Sequence, residues 1–207
     1  MSIFITFEGG EGSGKTTVLK EIDKLLQADG YKTILTREPG GTPISEQIRE
    51  VILDKKNTKM EARTEALLYA ASRRQHLVEK IWPAIKEGKV VLCDRYLDSS
   101  LAYQGVARNL GVDEVLNMNM FATEGTFPDL TLFFDIEPEL GLQRIAANGN
   151  REVNRLDLEK MSFHHMVRKA FLDLAKRYPE RIKIVDASKT LPEVIEAAYK
   201  IVKESLK

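Results

Sequence analysis

The sequence contains little cysteine, little histidine and no excess of charge of either sign. Its 207 residues include one cysteine and three histidines, while 31 basic side chains balance 31 acidic ones. A single cysteine excludes an internal disulfide, and the histidines lack companion ligands at the spacing of a zinc site. We expect Cys93 to be a small core residue. The histidines are expected on the surface: His76, His164 and His165.

The neutral charge and the absence of long apolar runs exclude whole classes of protein. A nonspecific nucleic-acid binder needs a strongly basic surface, so we expect no nucleic-acid partner. No apolar stretch is long enough to cross a membrane, and Met1 leads into the apolar run Ile3 to Phe7 without basic leader residues. We therefore expect a cytoplasmic protein with no membrane partner.

Short apolar runs rich in β-formers alternate with longer segments of helical period. This pattern predicts an α/β fold, a five-stranded parallel sheet with helices on both faces. No linker or shift of composition divides the chain, so residues 1–207 are predicted to form a single domain. The predicted strands are Ile3 to Phe7, Thr33 to Thr36, Val90 to Cys93, Leu130 to Phe134 and Ile182 to Val185.

Seven segments with helical periodicity lie between and after these strands. The first begins near Lys15 and ends at Gly30, and Pro83 is expected to end or kink the long third helix. The polar, arginine-bearing segment 148–157 lies between two helices and is predicted to be a short mobile lid. The other predicted helices are Ser45 to Leu53, Ala62 to Lys86, Val112 to Ala122, Pro138 to Asn148, Leu158 to Arg177 and Pro192 to Ser205.

The strongest chemical signal is a glycine-rich loop between the first strand and the first helix. It fits G-x-x-x-x-G-K-[ST], in which backbone N–H groups surround the phosphates of a nucleotide. In this pattern Lys15 reaches the β and γ phosphates and Thr16 ligates Mg²⁺, so ATP and Mg²⁺ are the predicted cofactors. The alternative is an ordinary glycine-rich turn. The predicted ATP-binding residues are Gly9, Gly10, Glu11, Gly12, Ser13, Gly14, Lys15, Thr16 and Thr17.

A second metal ligand is expected where a buried parallel strand ends, because ligands of open α/β sheets bind at that edge. Asp94 follows one predicted strand and Asp135 another. We favour Asp94, because Arg95 beside it supplies the positive charge that a phosphate acceptor needs. The alternative is a surface pair of Asp94 and Arg95 without a role in binding.

The placement of arginines favours a kinase over a nucleotide-dependent switch. Joining two nucleotides brings together much negative charge, which guanidinium groups neutralise with bidentate geometry. A GTPase would instead need a guanine-reading Asn-Lys-x-Asp stretch after a late strand, and the sequence has none. Arg37 follows the second predicted strand and Arg49 lies on the next helix. An otherwise apolar helical stretch is interrupted by Arg73 and Arg74, and the predicted lid contains Arg151 and Arg155.

Five motifs, in this order, resemble those of the thymidylate kinase family over roughly three quarters of the chain. The first extends the phosphate-binding loop to Phe7-Glu8 and Thr17, and the last ends at Asp157. The others are Arg37-Glu38-Pro39-Gly40-Gly41-Thr42, Ala71-Ser72-Arg73-Arg74, Asp94-Arg95-Tyr96 with Ser99-Ser100-x-x-Tyr103-Gln104, and Asn154-Arg155-Leu156-Asp157.

The resemblance implies phosphoryl transfer from ATP to dTMP in a homodimer, with a role for each side chain around the acceptor. Glu11 would reach the 3′-hydroxyl, and Tyr103 would crowd the 2′ position. Arg37, Arg49 and Arg95 would hold the 5′-phosphate. Tyr69 would stack on the base, while Arg73, Ser100 and Gln104 would hydrogen-bond to it. Tyr69 stands where the family more often has phenylalanine, and Asn154 where it often has aspartate. Taken singly, Tyr69 is better explained as core, Ser100 as a helix cap and Arg73 as solvent-facing, whereas taken together the three favour the binding roles.

The reaction needs no general base, because the second pKa of a phosphate monoester is near 6 and the attacking oxygen is already anionic. Catalysis then depends on alignment, on charge stabilisation and on exclusion of water by the lid. Gly12 follows Glu11, so the loop supplies no arginine. Arg151 is the predicted main catalytic arginine, and Arg155 would assist it or order the lid through Asp157. Two alternatives remain open, a kinase for another pyrimidine mononucleotide and a P-loop regulatory ATPase.

Overall fold

The computed structural model describes residues 2–147 and 155–206, and these form a five-stranded parallel sheet flanked by helices. The strand order is β2-β3-β1-β4-β5, so the chain builds one side of the central strand and then the other. This arrangement confirms the predicted fold class. The strands are β1 (Ile3–Glu8), β2 (Thr33–Arg37), β3 (Val90–Asp94), β4 (Leu130–Asp135) and β5 (Ile182–Asp186).

Each strand extends one residue beyond its predicted end, and that extra residue is always polar. The parallel ladder continues to this position, since Phe7 pairs in register with Asp94 and Asp135 with Asp186. Apolar patterning detects only the buried part of a strand, whereas the hydrogen-bond ladder runs to the edge of the sheet. The carboxyl edge of the sheet is consequently lined with charged side chains.

The two faces of the sheet carry separate apolar cores. On one face Phe4, Cys93 and Phe133 pack under the helices that follow β2, β3 and β4. On the other face Ile5 and Leu132 pack against the first and last helices. Cys93 is fully buried, as expected for a small core residue.

Nine α-helices lie in the described residues. The seven predicted helical segments are found with their ends shifted by a few residues, and a 3₁₀ turn at Arg155–Leu158 precedes the eighth helix. The helices are α1 (Lys15–Ala28), α2 (Pro43–Leu53), α3 (Ala62–His76), α4 (Trp82–Lys86), α5 (Leu97–Ser100), α6 (Val112–Thr123), α7 (Pro138–Ala147), α8 (Met161–Arg177) and α9 (Leu191–Ser205).

The long predicted helix is one helical run that continues past Pro83. A π-helical turn at Leu77–Ile81 joins α3 to α4, and Pro83 occupies the first turn of α4. Proline has no N–H, and its ring clashes with the carbonyl four residues earlier in a regular helix. The wider π turn lies directly before the proline, so the irregularity falls one turn earlier than the sequence indicates.

Sequence patterning misses α5 and the π-helical segment Leu101–Ala107 that follows it. Both are buried on nearly all sides, as the burial of Leu97, Leu101 and Ala102 shows. A helix that is apolar all round has no amphipathic period to detect. This segment supplies several side chains to the site described below.

The expectation of surface histidines is wrong for two of the three. His76 is fully buried, with its Nδ1 2.9 Å from Glu38 Oε1 and its Nε2 2.5 Å from Thr36 Oγ1. His164 is also buried, and only His165 is exposed. A buried imidazole is stable where it finds polar partners, and Glu38 and Thr36 supply them to His76.

The segment predicted as a lid lies largely outside the described residues, which resume at Arg155. Among the described helices, none is both long and apolar enough to span a bilayer.

Candidate active site

The glycine-rich loop connects β1 to α1 at the centre of the carboxyl edge. Gly9, Gly12 and Gly14 have positive φ angles of 151°, 71° and 80°, which bend the backbone over the start of α1. Lys15 is the first residue of that helix, and its Nζ donates to the carbonyl of Gly10 at 3.3 Å. The loop therefore offers backbone N–H groups, a helix N-terminus and an ammonium group to an anion.

The loop also makes an unusually close contact with α7. A Cβ atom on Gly12 would overlap the carbonyl of Gly141, and a Cβ on Gly141 would overlap the carbonyl of Glu11. Glycine is therefore required at both positions for steric reasons, and at Gly12 also for its backbone conformation. The phosphate-binding loop and the helix that leads to residue 148 are packed backbone against backbone.

Thr16 and Asp94 face each other where β3 ends beside the loop. The hydroxyl of Thr16 donates to Oδ2 of Asp94 in a short hydrogen bond. Asp135, the competing candidate for a metal ligand, is held instead by Arg168, whose Nε and Nη2 lie 2.7 and 3.2 Å from its two oxygens. Of the two aspartates, only Asp94 pairs with the loop, and hard oxygen ligands of this kind suit Mg²⁺.

Arg95 adopts a left-handed backbone conformation, with φ of 68°, that turns its side chain back under the loop. Its guanidinium donates to the carbonyl of Gly9 at 2.8 Å and pairs with Glu11 Oε1 at 2.7 Å. Tyr103 donates its hydroxyl to the same Glu11 oxygen at 3.1 Å. Burial raises the pKa of Tyr103, so it remains a neutral donor. These three side chains form one hydrogen-bonded group at the floor of the site.

Glu8, the last residue of β1, joins the loop strand to the segment after β3. Its carboxyl group accepts hydrogen bonds from the backbone N–H of Tyr96 at 2.7 Å and from that of Ser99 at 3.3 Å. Complete burial, and after it the negative charge of Asp98, raise the pKa of Glu8 to about 7. The junction therefore contains a carboxyl group that titrates near neutral pH.

Arg73 projects from α3 and is almost fully buried, with 1% of its surface exposed. Its Nε donates to Glu38 at 2.8 Å, and its Nη1 donates to Ser100 at 3.0 Å and to Asn119 at 2.5 Å. The two N–H donors of Nη2 have no hydrogen-bond partner among the described residues, although Arg73 lines the central cavity. A fixed guanidinium with one free edge can read a hydrogen-bond acceptor in that cavity.

A cavity of about 660 Å³ lies between the loop, α2, α3 and the π-helical segment. Its volume is that of a typical small-ligand site. It gathers residues from both the phosphate-binding loop and the segments predicted to bind an acceptor. The predicted site residues that line it are Glu11, Gly12, Ser13, Gly14, Lys15, Thr16, Thr17, Arg37, Arg49, Tyr69, Arg73, Asp94, Arg95, Ser100, Tyr103 and Gln104.

Comparison with known proteins decides between the families that share such a loop. The sequence model of the family described as "Thymidylate kinase" matches residues 7–198. The chain belongs to the thymidylate kinase family. The thymidylate kinase of Bacillus velezensis is 60% identical over 99% of the chain and 97% of its own length, and that of Clostridium novyi is 61% identical over 93% and 94%. The crystal structure of thymidylate kinase from Ehrlichia chaffeensis superposes with a TM-score of 0.79 at 31% identity, covering 98% of both chains.

Two arginines that line the cavity, Arg37 and Arg49, are each held by a neighbouring acceptor. Arg37, at the end of β2, pairs with Glu46 at 2.9 Å. Arg49, on α2, donates to the carbonyl of Pro39 at 2.8 Å. Burial, and after it the nearby positive charge of Arg37, lower the pKa of Arg49. Two guanidinium groups that line one cavity can together bind an anion such as phosphate.

The structure does not bring Arg155 to the cavity. Its Nε donates to the carbonyl of Ile52 at 3.0 Å and its Nη2 lies 2.5 Å from Glu65 Oε2, while the next residue, Leu156, does line the cavity. Arg151 lies outside the described residues. The sequence places Arg155 within a polar segment, but it gives no sign that a buried carboxylate on α3, Glu65, is its partner.

Sequence reasoning also missed two buried carboxylates that hold the site together, Glu38 and Glu65. Glu65 accepts from Gln104 and Arg155, and Glu38 accepts from Arg73 and His76. A signal for Glu65 was present, because it lies four residues before Tyr69 and eight before Arg73, which places all three on one face of a helix. Glu38 lies within a matched motif, but nothing in its spacing indicated that it pairs with Arg73 and His76.

Proposed function

We propose how this site carries out the reaction of its family, the transfer of the γ-phosphoryl group of ATP to dTMP, which gives dTDP and ADP for deoxynucleotide synthesis. One observation carries the proposal: the loop residues Lys15 and Thr16 and the acceptor residues Arg73, Arg95 and Gln104 line a single cavity. A nucleotide bound by the loop and a second nucleotide bound by the arginines would meet there. Alignment of this kind is the main source of catalysis in phosphoryl transfer.

The donor half of the site would hold ATP and Mg²⁺. Backbone N–H groups of the loop and Nζ of Lys15 would stabilise the phosphates, and Thr16 and Asp94 are the residues that would hold the ion. The hydrogen bond between Thr16 and Asp94 supports this pairing, because both oxygens already point to one place. The ion would neutralise charge on the transferring group.

The acceptor half holds dTMP by its phosphate, its sugar and its base. Arg37, Arg49 and Arg95 bind the 5′-phosphate, and Glu11 and Tyr103 face the sugar. The residues assigned to the base are Tyr69, which stacks on it, and Arg73, Ser100 and Gln104, which offer hydrogen bonds. The burial and fixed orientation of Arg73 support this division, since a solvent-facing arginine would have no such partners.

The anionic phosphate of dTMP attacks without a general base, and the residues of segment 148–157 complete the site. We assign to Arg151 the stabilisation of the negative charge that develops on the transferring phosphoryl group in the transition state. The contacts of Arg155 with Glu65 and Ile52 favour an ordering role for Arg155 over direct catalysis.

Incubating the protein with Mg·ATP and a panel of mononucleotides, and following ADP release, tests the proposed reaction. We expect dTMP to be the best acceptor. We expect dUMP to be worse by about 10–200-fold, the worth of one methyl group in an apolar pocket. ADP release that is independent of any acceptor would instead identify a regulatory ATPase, and a better acceptor than dTMP would identify a different mononucleotide kinase.

The metal assignment is tested by two matched aspartate variants. Asp94→Asn should raise the Mg²⁺ concentration needed for half-maximal activity and lower kcat, without abolishing dTMP binding. Asp135→Asn is the control, because its carboxylate is paired with Arg168. The assignment is wrong if the control shows the metal effect and Asp94→Asn does not.

We further propose a homodimer in the cytoplasm, where nucleotide substrates are made and used. Helices α3 and α6 pack side by side, and each exposes large apolar side chains. Leu67 on α3 is 59% exposed and Phe121 on α6 is 90% exposed. Such a surface suits association with a second copy. Phe121→Ser should shift the mass measured by light scattering toward the monomer, whereas Val51→Ser on α2 should not.

A further inference from the structure

Glu65 is a buried carboxylate on α3 that none of the proposed catalytic steps uses. Its surface is 1% exposed, and it accepts a hydrogen bond from Gln104 Nε2 at 2.7 Å. Its second oxygen lies 2.5 Å from Arg155 Nη2, and Arg108 approaches both oxygens at 3.3 Å. Three donors from two separate segments of the chain thus converge on one side chain, since Gln104 and Arg108 belong to the π-helical segment and its end and Arg155 to the 3₁₀ turn.

The charge state of Glu65 is fixed by these neighbours. Burial alone would raise its pKa, but the hydrogen bond from Gln104 and the charges of Arg108 and Arg155 outweigh burial and lower the pKa. Glu65 is therefore ionised at neutral pH. An ionised carboxylate only accepts hydrogen bonds, so each group that touches it must be a donor.

This restriction determines which end of the Gln104 amide faces the cavity. The amide has one donor end and one acceptor end, and Glu65 binds the donor end. The opposite atom, Oε1, accepts no hydrogen bond from the described residues, and Gln104 lines the cavity. The same cavity therefore presents a carbonyl acceptor from Gln104 and the free N–H donors of Arg73.

We propose that Glu65 is a positioning residue that sets the hydrogen-bond polarity of the base pocket by fixing the orientation of Gln104. The resulting pattern combines one acceptor and one donor. It matches a pyrimidine with N3–H next to a C4 carbonyl, and it opposes one with an unprotonated N3 next to a C4 amino group. This inference rests on the proposed function, because it assumes that Gln104 faces the base of the acceptor.

Two mononucleotides that differ only at these positions, dUMP and dCMP, measure the effect without the methyl group of thymine. Dissociation constants for both are measured by calorimetry on the full chain. With Glu65→Gln, the new amide can pair with either end of Gln104, so both orientations become populated. We expect the preference for dUMP over dCMP to fall by about tenfold or more, the worth of a buried hydrogen bond that involves a charged group.

Glu159→Gln is the matched control. Glu159 pairs with Arg108 at 2.6 Å, as Glu65 does at longer range, but it has no bond to Gln104. This variant should keep the preference of the wild type within about twofold, since Glu159 does not touch Gln104 and Arg108 keeps its contacts with Glu65. A fall in preference as large as that of Glu65→Gln would show a general loss of order and would overturn the positioning role.

A double-mutant cycle separates positioning from a structural effect. Gln104→Leu should lower the preference as Glu65→Gln does, and the double variant should lower it no further, because Glu65 acts through Gln104. Unchanged preference in folded Glu65→Gln overturns the proposal. If that variant does not fold, unchanged preference in Gln104→Leu overturns it equally. A wild-type protein that phosphorylates dTMP but binds dUMP and dCMP equally refutes this inference alone, whereas one without dTMP kinase activity refutes the proposed function.

Discussion

The two halves of the cavity are built by opposite means. The donor half is a run of nine consecutive residues, 9–17, whose binding groups are mostly backbone N–H groups and whose shape depends on glycines with positive φ. The acceptor half takes single side chains from β2, α2, α3, the end of β3 and the π-helical segment. A continuous loop reveals its function in its own sequence. A site gathered from distant segments becomes visible only when the fold brings them together.

The halves also differ in how they are held. The donor loop is fixed by close backbone contact with α7. The acceptor half is fixed by buried ion pairs, Arg73 with Glu38 at 2.8 Å and Arg155 with Glu65. Breaking a buried pair leaves an uncompensated charge, so the acceptor half should respond to single substitutions by losing both order and selectivity. Variants in the two halves should therefore fail in different ways.

The largest expected effect is found by comparing alanine substitutions of the two arginines that follow α7, Arg151 and Arg155. Arg151→Ala should lower kcat by roughly 10³–10⁵, the usual worth of an arginine that stabilises phosphoryl transfer. Its KM for dTMP should stay nearly unchanged. Arg155→Ala should instead destabilise the fold, by less than the roughly 3–5 kcal/mol of a fully unpaired buried charge, because Gln104 and Arg108 still donate to Glu65. Steady-state kinetics and denaturant unfolding measure the two quantities. Full kcat in Arg151→Ala would remove Arg151 from the mechanism.

Lys15→Ala tests the donor half directly. In the proposed mechanism Lys15 stabilises charge that grows on the transferring group, and loss of one such interaction lowers kcat by roughly 10²–10³. The fold should survive, as judged by an unchanged circular dichroism spectrum. Lys20→Ala, an exposed change on the same helix, is the control and should keep full activity. Equal kcat values for the two variants would contradict the role of Lys15.

The raised pKa of Glu8, at the junction between the halves, predicts that the stability of the fold depends on pH. Its pKa is about 7 in the folded protein and 4.5 in its unperturbed state. The folded protein binds the proton of Glu8 more tightly than the unfolded chain does. This proton therefore stabilises the fold fully below pH 4.5, and the stabilisation is lost as pH rises through 7. The unfolding free energy should fall by roughly 3 kcal/mol over this range. The difference in unfolding free energy between Glu8→Gln and the wild type should therefore grow by that amount from pH 4.5 to 8. A difference independent of pH would contradict the raised pKa.

Substitution of two loop glycines, Gly12 and Gly14, distinguishes the free-energy cost of backbone strain from the cost of close packing. Both have positive φ, but a Cβ on Gly14 would meet nothing within 4 Å, whereas one on Gly12 would overlap Gly141. Gly14→Ala should cost about 1–2 kcal/mol of unfolding free energy for its conformation. Gly12→Ala should cost about 1–3 kcal/mol more, because the backbone must move apart. Denaturant unfolding without nucleotide measures both, and equal losses would rule out the packing contribution.

The smallest expected effect concerns the sugar. Tyr103→Phe removes one hydroxyl and its hydrogen bond to Glu11, worth about 0.5–1.5 kcal/mol. We expect a modest fall in kcat/KM for dTMP and a smaller preference for dUMP over UMP. Tyr199→Phe, which loses a hydroxyl bound to Asp29 far from the cavity, is the control. An unchanged sugar preference in Tyr103→Phe would assign that preference to the ring of Tyr103 or to another residue.

The same contrast explains how far the sequence could predict this structure. The five strands, the loop with Lys15, and Asp94 at the end of β3 follow from local patterns, since each depends on neighbours in the chain. The burial of His76 and the pairing of Arg155 with Glu65 depend on contacts between residues 38 and 90 positions apart. The π-helical segment carrying Gln104 was missed because complete burial removes the polar face that reveals a helix.

The backbone contact between Gly12 and Gly141 links the motions of two segments that are far apart in sequence. With no side chain between them to change rotamer, neither segment can shift by more than a small fraction of an ångström without moving the other. Amide protons of the loop and of α7 should therefore exchange with solvent as one cooperative unit. Binding of ATP to the loop should therefore slow exchange along α7 as far as Ala147, and also in the first turn of that helix, which does not line the cavity.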